Sequence, residues 1–150
     1  MTAKEYLCQI RQLNNKIKSD KEQLDTLRRM VTSIAGPDYD SIKVDHSPSG
    51  DAPFEKVLIR AMDLETEIDR EIEALIDLKG EAAMAIAMID YPLHQRVLTE
   101  RYIACKNWPE IADALGYTKD GVFKMHRKAL QEIRVPEGPD LVKFLPYQEN

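Results

Sequence analysis

The stretch that most constrains the fold runs from Asn107 to Ile133, because its residues favour two short helices joined by a tight turn. Asn107 suits a helix N-cap, where its side-chain oxygen accepts from the backbone, and Glu110 completes a capping box three residues later. Gly116 stands where the first helix must end, since glycine adopts the left-handed conformation without a Cβ penalty. Thr118 is suited to start a second helix. The stretch therefore predicts a helix-turn-helix.

Apolar residues recur at helical spacing in both helices and divide the second helix into two faces. The predicted inner positions are Ile111, Ala112, Leu115, Val122, Met125, His126, Ala129, Leu130 and Ile133. Between Thr118 and Arg134 there are five Lys or Arg residues and two acidic ones, a local net charge of +3 in a chain of net charge -5. Such an asymmetry is expected where a protein meets phosphates. A solvated helix face with scattered lysines is the alternative that charge alone leaves open.

The run from Tyr91 to Leu130 resembles region 4 of bacterial sigma factors, the domain that reads the −35 promoter element. The matching segments are LxxRYI at 98–103, WPEIADALG at 108–116, YTKDGV at 117–122 and KAL at 128–130. The whole chain is also similar to small sigma-region-4-like proteins of phages and prophages. Those proteins begin with a segment similar to residues 1–13 and carry an acidic helix before the helix-turn-helix.

This resemblance implies an all-α protein in which a long N-terminal, coiled-coil-like helical hairpin precedes a trihelical helix-turn-helix domain of sigma region 4 type. It also implies double-stranded DNA as a partner, together with RNA polymerase or DNA beside a promoter. The chain departs from the family at Gly121, Phe123 and Met125, where ordinary region 4 often has Thr, Lys and Arg. Nothing resembles the sigma regions that bind the −10 element or melt DNA, so independent promoter opening is not expected.

The candidate DNA contacts lie off the apolar stripe of the second helix, at about residues 118–133. This helix would enter the major groove with its N-terminal end first. Residues 118–120 would reach base edges or the nearest phosphates, Phe123 could touch a thymine methyl group, and the later cations would position the helix on the backbone. The complete candidate set is Thr118, Lys119, Asp120, Phe123, Lys124, Arg127 and Lys128.

Two long amphipathic segments precede this region, and we expect helices at about 3–35 and 53–90 that pack as an antiparallel hairpin. Asp20 falls where an apolar residue is due and is expected to set the register at a cost in stability. The first predicted seam is Tyr6, Ile10, Leu13, Ile17, Leu24, Leu27, Val31 and Ile34. The second is Val57, Ala61, Leu64, Ile68, Leu75, Leu78, Ala82, Ala85 and Ile89, widened by Leu58, Ile72, Ile76 and Ile86.

The acidic residues concentrate in the middle of the chain. The net charge is +3 over residues 1–35, -9 over residues 36–90 and +1 over residues 91–150. Such a middle segment repels DNA, so it should face water or a basic partner. We expect its helical carboxylates at solvated positions rather than in a metal site. They are Asp63, Glu65, Glu67, Asp69, Glu71, Glu73 and Asp77.

The chain thus divides into a helical hairpin over residues 1–90, a DNA-binding domain over residues 91–135 and a C-terminal tail over residues 136–150. A third helix of the DNA-binding domain should run from Leu93 to about Cys105, and Trp108 should cover its core. Residues 36–53 are rich in Gly, Pro, Asp and Ser, which predicts a loop, and we favour disorder for it. The tail sequence LVKFLPY at 141–147 either docks on the domain or serves as a peptide for a partner.

An enzyme is not expected, because the sequence has no glycine-rich phosphate loop, no nucleophile motif and no cluster of metal ligands. No cofactor or metal is therefore predicted. His46 has no second ligand at a suitable spacing, and we expect an exposed histidine. His94 and His126 lie on helices with apolar stripes, and Cys8 and Cys105 are read as ordinary thiols.

No apolar run is long enough to cross a membrane and no signal sequence precedes the first helix, so we expect a cytoplasmic protein. Two functions besides transcription regulation fit the pattern. The chain could be a phage DNA-packaging subunit like the small terminase, assembled as a homo-oligomer through the hairpin. It could also be an adaptor that binds proteins through its coiled coil and never meets DNA.

Overall fold

The computed structural model describes residues 1–35 and 53–137, and every regular element within them is a helix. The expected all-α class is therefore confirmed. The helices are α1 (Ala3–Ala35), α2 (Pro53–Ala87), α3 (Pro92–Leu98), α4 (Trp108–Leu115) and α5 (Lys119–Glu132). The predicted loop at 36–53 (apart from Pro53), its His46 and the tail from 138 onward lie outside the described residues. None of these five helices has a stretch apolar enough to cross a bilayer.

The described residues pack as two compact units. The middle unit is Lys16–Ile72, and the terminal unit combines Met1–Asn15 with the described chain from Glu73 onward. Both α1 and α2 contribute to each unit. This is a different grouping from the one made from the sequence, but a packing unit need not be a domain that folds alone. The predicted division at residue 90 stays a prediction.

Apolar side chains hold α1 and α2 together in the middle unit. Leu24 and Leu27 of α1 form a buried cluster with Ala61 and Ile68 of α2. Ion pairs connect Lys16 with Glu71, and Arg28 with Glu65. Within this unit, partners therefore run in opposite directions along the two helices. Arg28 and Glu65 are both 56% exposed, and such a surface pair contributes little to stability.

A partly buried ionic cluster centred on Lys16 interrupts this apolar contact. The Lys16 Nζ atom lies 2.7 Å from Asp20 Oδ2, 2.5 Å from Glu71 Oε1 and 3.6 Å from Glu67 Oε1. Glu71 is fully buried, so its expected place on the solvated side of α2 is wrong. The sequence pattern misled here because Glu71 lies beside the seam, where the lysine of the facing helix reaches it. The three carboxylates lie within 4.8 Å of one another, but the Lys16 ammonium is the cation between them.

Charge and burial together explain why a polar residue stands at position 20. Asp20 accepts a hydrogen bond from Lys16 one helical turn away, and the same ammonium reaches across to Glu71. Burial acts to lower the pKa of Lys16, but these hydrogen bonds outweigh it and the pKa is raised. Burial also raises the pKa of Glu71, and the Lys16 charge offsets this only in part. A register slip would leave these buried charges unpaired, at a cost of several kcal/mol by the order of magnitude for buried ions.

The first turns of α1 belong to the terminal unit. Tyr6, Leu7, Ile10 and Leu13 are buried there. Arg11 donates from Nη1 to the carbonyl oxygens of Arg101 and Lys106, at 3.0 and 3.1 Å. The N-terminus of the chain is thereby fixed to a segment some ninety residues later.

Two positions of the predicted seams are exposed rather than buried, Ile34 at 49% and Ile76 at 63%.

Two helices end earlier than expected. The second helix ends at Ala87 rather than near residue 90, and the side-chain amide of Gln95 donates to the free carbonyl oxygen of Ile89. The third helix widens into a π-helical turn at Thr99–Ile103, where the Ala104 N–H bonds the Thr99 carbonyl. Cys105 then adopts a left-handed φ of 56°, which a non-glycine residue adopts at a cost in energy. This wide turn brings the Tyr102 ring into the core.

The raised pKa of Glu71 predicts a specific dependence of stability on pH. The folded chain binds the Glu71 proton more tightly than the unfolded chain, whose pKa is about 4.5. The contribution of Glu71 is therefore full below pH 4.5 and is lost as the pH rises through the raised value. The unfolding free energy of the wild type minus that of Glu71→Gln should fall from pH 4 to pH 7. The fall is about 1.4 kcal/mol for each unit of pKa elevation.

Urea unfolding at several pH values measures this difference. Glu73→Gln is the matched control, because Glu73 is an exposed carboxylate two residues further along the same helix. This variant shows the general effect of removing a carboxylate from α2, against which the Glu71→Gln difference is compared. A Glu71→Gln difference that falls no more than the Glu73→Gln difference would contradict the assignment of the proton to Glu71.

Candidate nucleic-acid interface

Both ends of helix α4 have the caps that the sequence predicts. The Asn107 side chain accepts from the Glu110 N–H at 3.0 Å, and the Glu110 carboxylate accepts from the Asn107 N–H at 3.2 Å. At the other end Gly116 has a φ of 71°, and the N–H of Tyr117 reaches back to the carbonyl of Ala112 at 3.1 Å. The capping box and the left-handed glycine are confirmed. This turn redirects the chain, and only three residues lie between the end of α4 and the start of α5.

Helix α5 begins at the predicted cap. The Thr118 hydroxyl accepts from the Gly121 N–H at 3.2 Å. A Cβ at Gly121 would lie 3.3 Å from this hydroxyl oxygen, so the glycine leaves the cap uncrowded. The cap uses one acceptor site of the Thr118 hydroxyl, so its proton and its second lone pair remain for other partners.

One face of α5 is buried in a small core shared with α3 and α4. Val97, Ile111 and Val122 have no exposed surface, and Ala112 joins them. Trp108, Leu115 and Met125 pack against this group as half-buried neighbours. The rings of Trp108 and Phe123 meet edge-on, with their centroids 5.1 Å apart. The Arg101 guanidinium carbon lies 4.1 Å from the centroid of the Trp108 ring. Trp108 therefore covers the core, as expected from the sequence.

A buried polar pair ties α5 to the turn that follows α3. The Tyr102 hydroxyl and His126 Nε2 are 2.8 Å apart and share one hydrogen bond, while both residues are almost fully buried. Burial lowers the pKa of His126 to about 4, and the charges of Arg101 and Lys4 lower it further. The imidazole is consequently neutral near pH 7. His126 thus packs at the core, as expected.

The opposite face of α5 carries the candidate DNA contacts. All seven predicted residues are exposed, and the six within the helix lie at positions 119, 120, 123, 124, 127 and 128. At 3.6 residues per turn these positions share about half of the helix circumference. Among residues 1–35 and 53–137, the ion pairs found involve none of Lys119, Lys124, Arg127 and Lys128. The structure therefore brings the predicted cations together in water, and none of them is neutralised by an acidic partner in the described chain.

Phe123 is the predicted contact with the strongest structural role. It is 38% exposed, yet its ring packs on the Trp108 edge. Its exposed portion is what remains to contact a ligand. Together with the capping role of Thr118, this means that two of the seven predicted contacts also stabilise the fold.

Two further exposed cations belong to the same unit and were not predicted as contacts. Arg96 of α3 is exposed, and its Nη2 atom lies 3.5 Å from the Ala114 carbonyl near the end of α4. Lys4 of α1 is exposed and close enough to α5 to affect the pKa of His126. Arg96 could have been found from its place off the apolar stripe of α3. Lys4 has no such signal, because it is distant in sequence and comes near α5 only through folding.

The left-handed turn supplies a direct test of this architecture. Gly116→Ala should destabilise the protein by about 1–2 kcal/mol, because alanine pays a steric penalty at positive φ. Gly80→Ala is the matched control, since a Cβ meets nothing within 4 Å at either glycine and Gly80 lies inside α2. That change should stabilise the protein by about 0.5–1 kcal/mol through helix propensity. Chemical denaturation of both variants measures the contrast, and equal effects would argue against the turn.

The neutral buried histidine predicts a loss of stability in acid. The unfolded chain protonates His126 near pH 6.5, but the folded chain does so only near pH 4. The contribution of His126 is therefore full above pH 6.5 and is lost as the pH falls towards 4. The unfolding free energy of the wild type minus that of His126→Gln should decrease by up to about 3 kcal/mol over this interval. Denaturation curves at pH 7 and pH 4.5 test it, and a constant difference would show that His126 is accessible to protons.

Comparisons with known proteins identify no relative of this chain: no family model matches it, and searches of curated proteins and of solved structures return no significant match. Its own residues are therefore the basis for a functional proposal.

Proposed function

We propose that this protein is a DNA-binding transcription regulator whose terminal unit contains a helix-turn-helix of sigma region 4 type. In this proposal α4 and α5 are the two helices of the motif, α3 completes the trihelical domain, and α5 is the recognition helix. The observation that carries the proposal is the exposed cationic face of α5. Lys119, Lys124, Arg127 and Lys128 lie in water on that face.

The dimensions of α5 suit this role. It is a 14-residue helix with one face buried and the other free, and the B-DNA major groove is wide enough to admit an α-helix. Its first residues, Lys119 and Asp120, follow the Gly116 turn and stand at the end that would lead into the groove. The helix N-terminus itself favours an anion, because its unpaired N–H groups carry partial positive charge.

The exposed side chains divide by what they can recognise. Lys124, Arg127 and Lys128 supply attraction to phosphates, which gives affinity without sequence information. Asp120 can accept a hydrogen bond from a cytosine amino group, and Phe123 offers an apolar edge to a thymine methyl group. Arg96 of α3 and Lys4 of α1 are further exposed cations of the same unit. The resemblance to region 4 adds RNA polymerase, or DNA beside a promoter, as the expected setting.

The remainder of the chain is proposed as a coiled-coil-like hairpin that stays away from DNA. Its polar side bears exposed carboxylates such as Asp63, Glu67 and Asp69. Like-charge repulsion keeps such a surface from duplex phosphates, at distances within the Debye length of about 10 Å at 0.1 M salt. The same surface would suit a basic partner.

A titration against random duplex DNA tests the proposal at low salt. The double variant Lys124→Ala/Arg127→Ala should weaken binding to all sequences. It should also lower the slope of log affinity against log salt by about two, one for each lost phosphate contact. Lys18→Ala/Lys21→Ala is the matched control, because it removes two exposed lysines of α1 from the middle unit.

The outcomes separate the proposed function from its alternatives. A control variant that binds like the wild type, beside a weakened α5 variant, supports the groove interaction. If wild-type protein shows no attraction to random duplex at low salt, the chain is better explained as a protein-binding adaptor. Equal losses in both double variants would show that only net charge matters, and α5 would then not be the interface.

A further inference from the structure

An open groove lies on the terminal unit, away from the cationic face of α5. Its volume is about 890 Å³, within the range of about 300–1,000 Å³ typical of ligand pockets. Its floor is apolar and is formed by the end of α2 and by the chain that follows α5. The apolar residues of this floor include Met84, Met88, Ile89, Val135 and Pro136.

The groove belongs to an unusually apolar stretch of α2. The inner side of this stretch is buried through Leu78, Ala82 and Ile86, as in any core helix. Its outer side is also apolar: Met84 is 74% exposed, and Met88, which directly follows the last helical residue, is 83% exposed. Methionine side chains are flexible and polarisable, which suits a surface that accommodates another apolar segment. An exposed patch of this kind indicates a binding site.

The described part of the chain ends at the groove. Val135 and Pro136 line it, and the described chain ends one residue later, at Glu137. The thirteen residues after Glu137 include the apolar sequence LVKFLPY at 141–147. Leu141 is five residues beyond Pro136, which allows a reach of about 17 Å. The seven-residue segment can extend about 20 Å, whereas Glu81 and Ala87, the last residue of α2, are only about 9 Å apart along the helix.

The chemistry of the segment complements that of the groove. Leu141, Val142, Phe144, Leu145 and Tyr147 provide the apolar side chains, and Lys143 is the only charged residue among 141–147. The groove is lined by three carboxylates and one guanidinium, from Glu81, Asp90, Glu132 and Arg134. The lining of the groove therefore has a net negative charge, whereas residues 141–147 have a net positive charge. In addition, Glu81 Oε2 is buried and has no hydrogen-bond partner among the described residues.

From this geometry and charge we propose that residues 141–147 of the same chain bind in the groove formed by Met84, Met88, Ile89, Val135 and Pro136. The apolar side chains cover the exposed methionines, and Lys143 faces the carboxylates around them. The end of the chain thereby clasps the C-terminal part of α2 to the chain that leaves α5. This binding site is independent of the DNA-binding proposal.

Hydrogen–deuterium exchange on the full-length protein tests the clasp. In the wild type the amides of residues 141–147 should exchange at least tenfold more slowly than in an unfolded peptide. Met84→Asp/Met88→Asp should abolish this protection, because it places charge under the apolar side chains. Ile59→Asp/Met62→Asp is the matched control, since Ile59 and Met62 are each 59% exposed on α2 but lie outside the groove. It should leave the protection intact.

A variant in residues 141–147 tests the proposal independently if the groove variant misfolds. Phe144→Asp leaves the described helices untouched and should release the other amides of 141–147 to fast exchange. Lys143→Glu should weaken protection by severalfold through repulsion from the groove carboxylates. The measurements are repeated over a hundredfold range of protein concentration, with the mass followed by light scattering.

Three results would overturn the proposal. Unprotected amides at 141–147 in the wild type would show that the segment does not bind. Protection that survives Met84→Asp/Met88→Asp in a folded protein would place the segment elsewhere. Protection that disappears on dilution as the mass falls from dimer to monomer would show that a second copy, rather than the chain's own end, fills the groove.

Discussion

The burial of one face of α5 is the constraint on which the functional surface depends. Val122 has no exposed surface, and His126 and Ala129 are buried beside it. Once these three face the core, the helix period places positions 120, 124, 127 and 128 on the opposite side. Packing of the apolar face therefore keeps Lys124, Arg127 and Lys128 in water.

Buried polar groups add specificity to both packing units. In the middle unit Lys16 joins Asp20 to Glu71, and in the terminal unit Tyr102 bonds His126. Each arrangement satisfies polar atoms only in one alignment of its helices, whereas apolar contacts alone tolerate small shifts. The ionic group lies between two long helices that could otherwise slide by a turn. The tyrosine–histidine pair connects the π-helical turn to α5 and holds it in place.

Local signals predicted much of this structure. The capping box of Asn107, the left-handed turn at Gly116 and the cap at Thr118 depend on residues at most a few positions apart, so sequence spacing was sufficient to find them. Long-range features were harder. The burial of Glu71 could not be anticipated because Lys16, its partner, is 55 residues away. The π-helical turn after α3 also has no local signature in the sequence. Its Tyr102 contacts His126, which is distant in the chain.

The sequence alone determined the helical class, the ends of α4 and the start of α5, and the sorting of α5 into an apolar and a cationic face. Each of these follows from backbone preferences and from the period of one helix, which act within a few residues. Tertiary structure alone decided that Glu71 lies inside, that Lys4 comes close enough to affect His126, and that Met84 and Met88 line an open groove. These depend on which helix covers which face, and such pairing is set by packing between residues far apart in the chain.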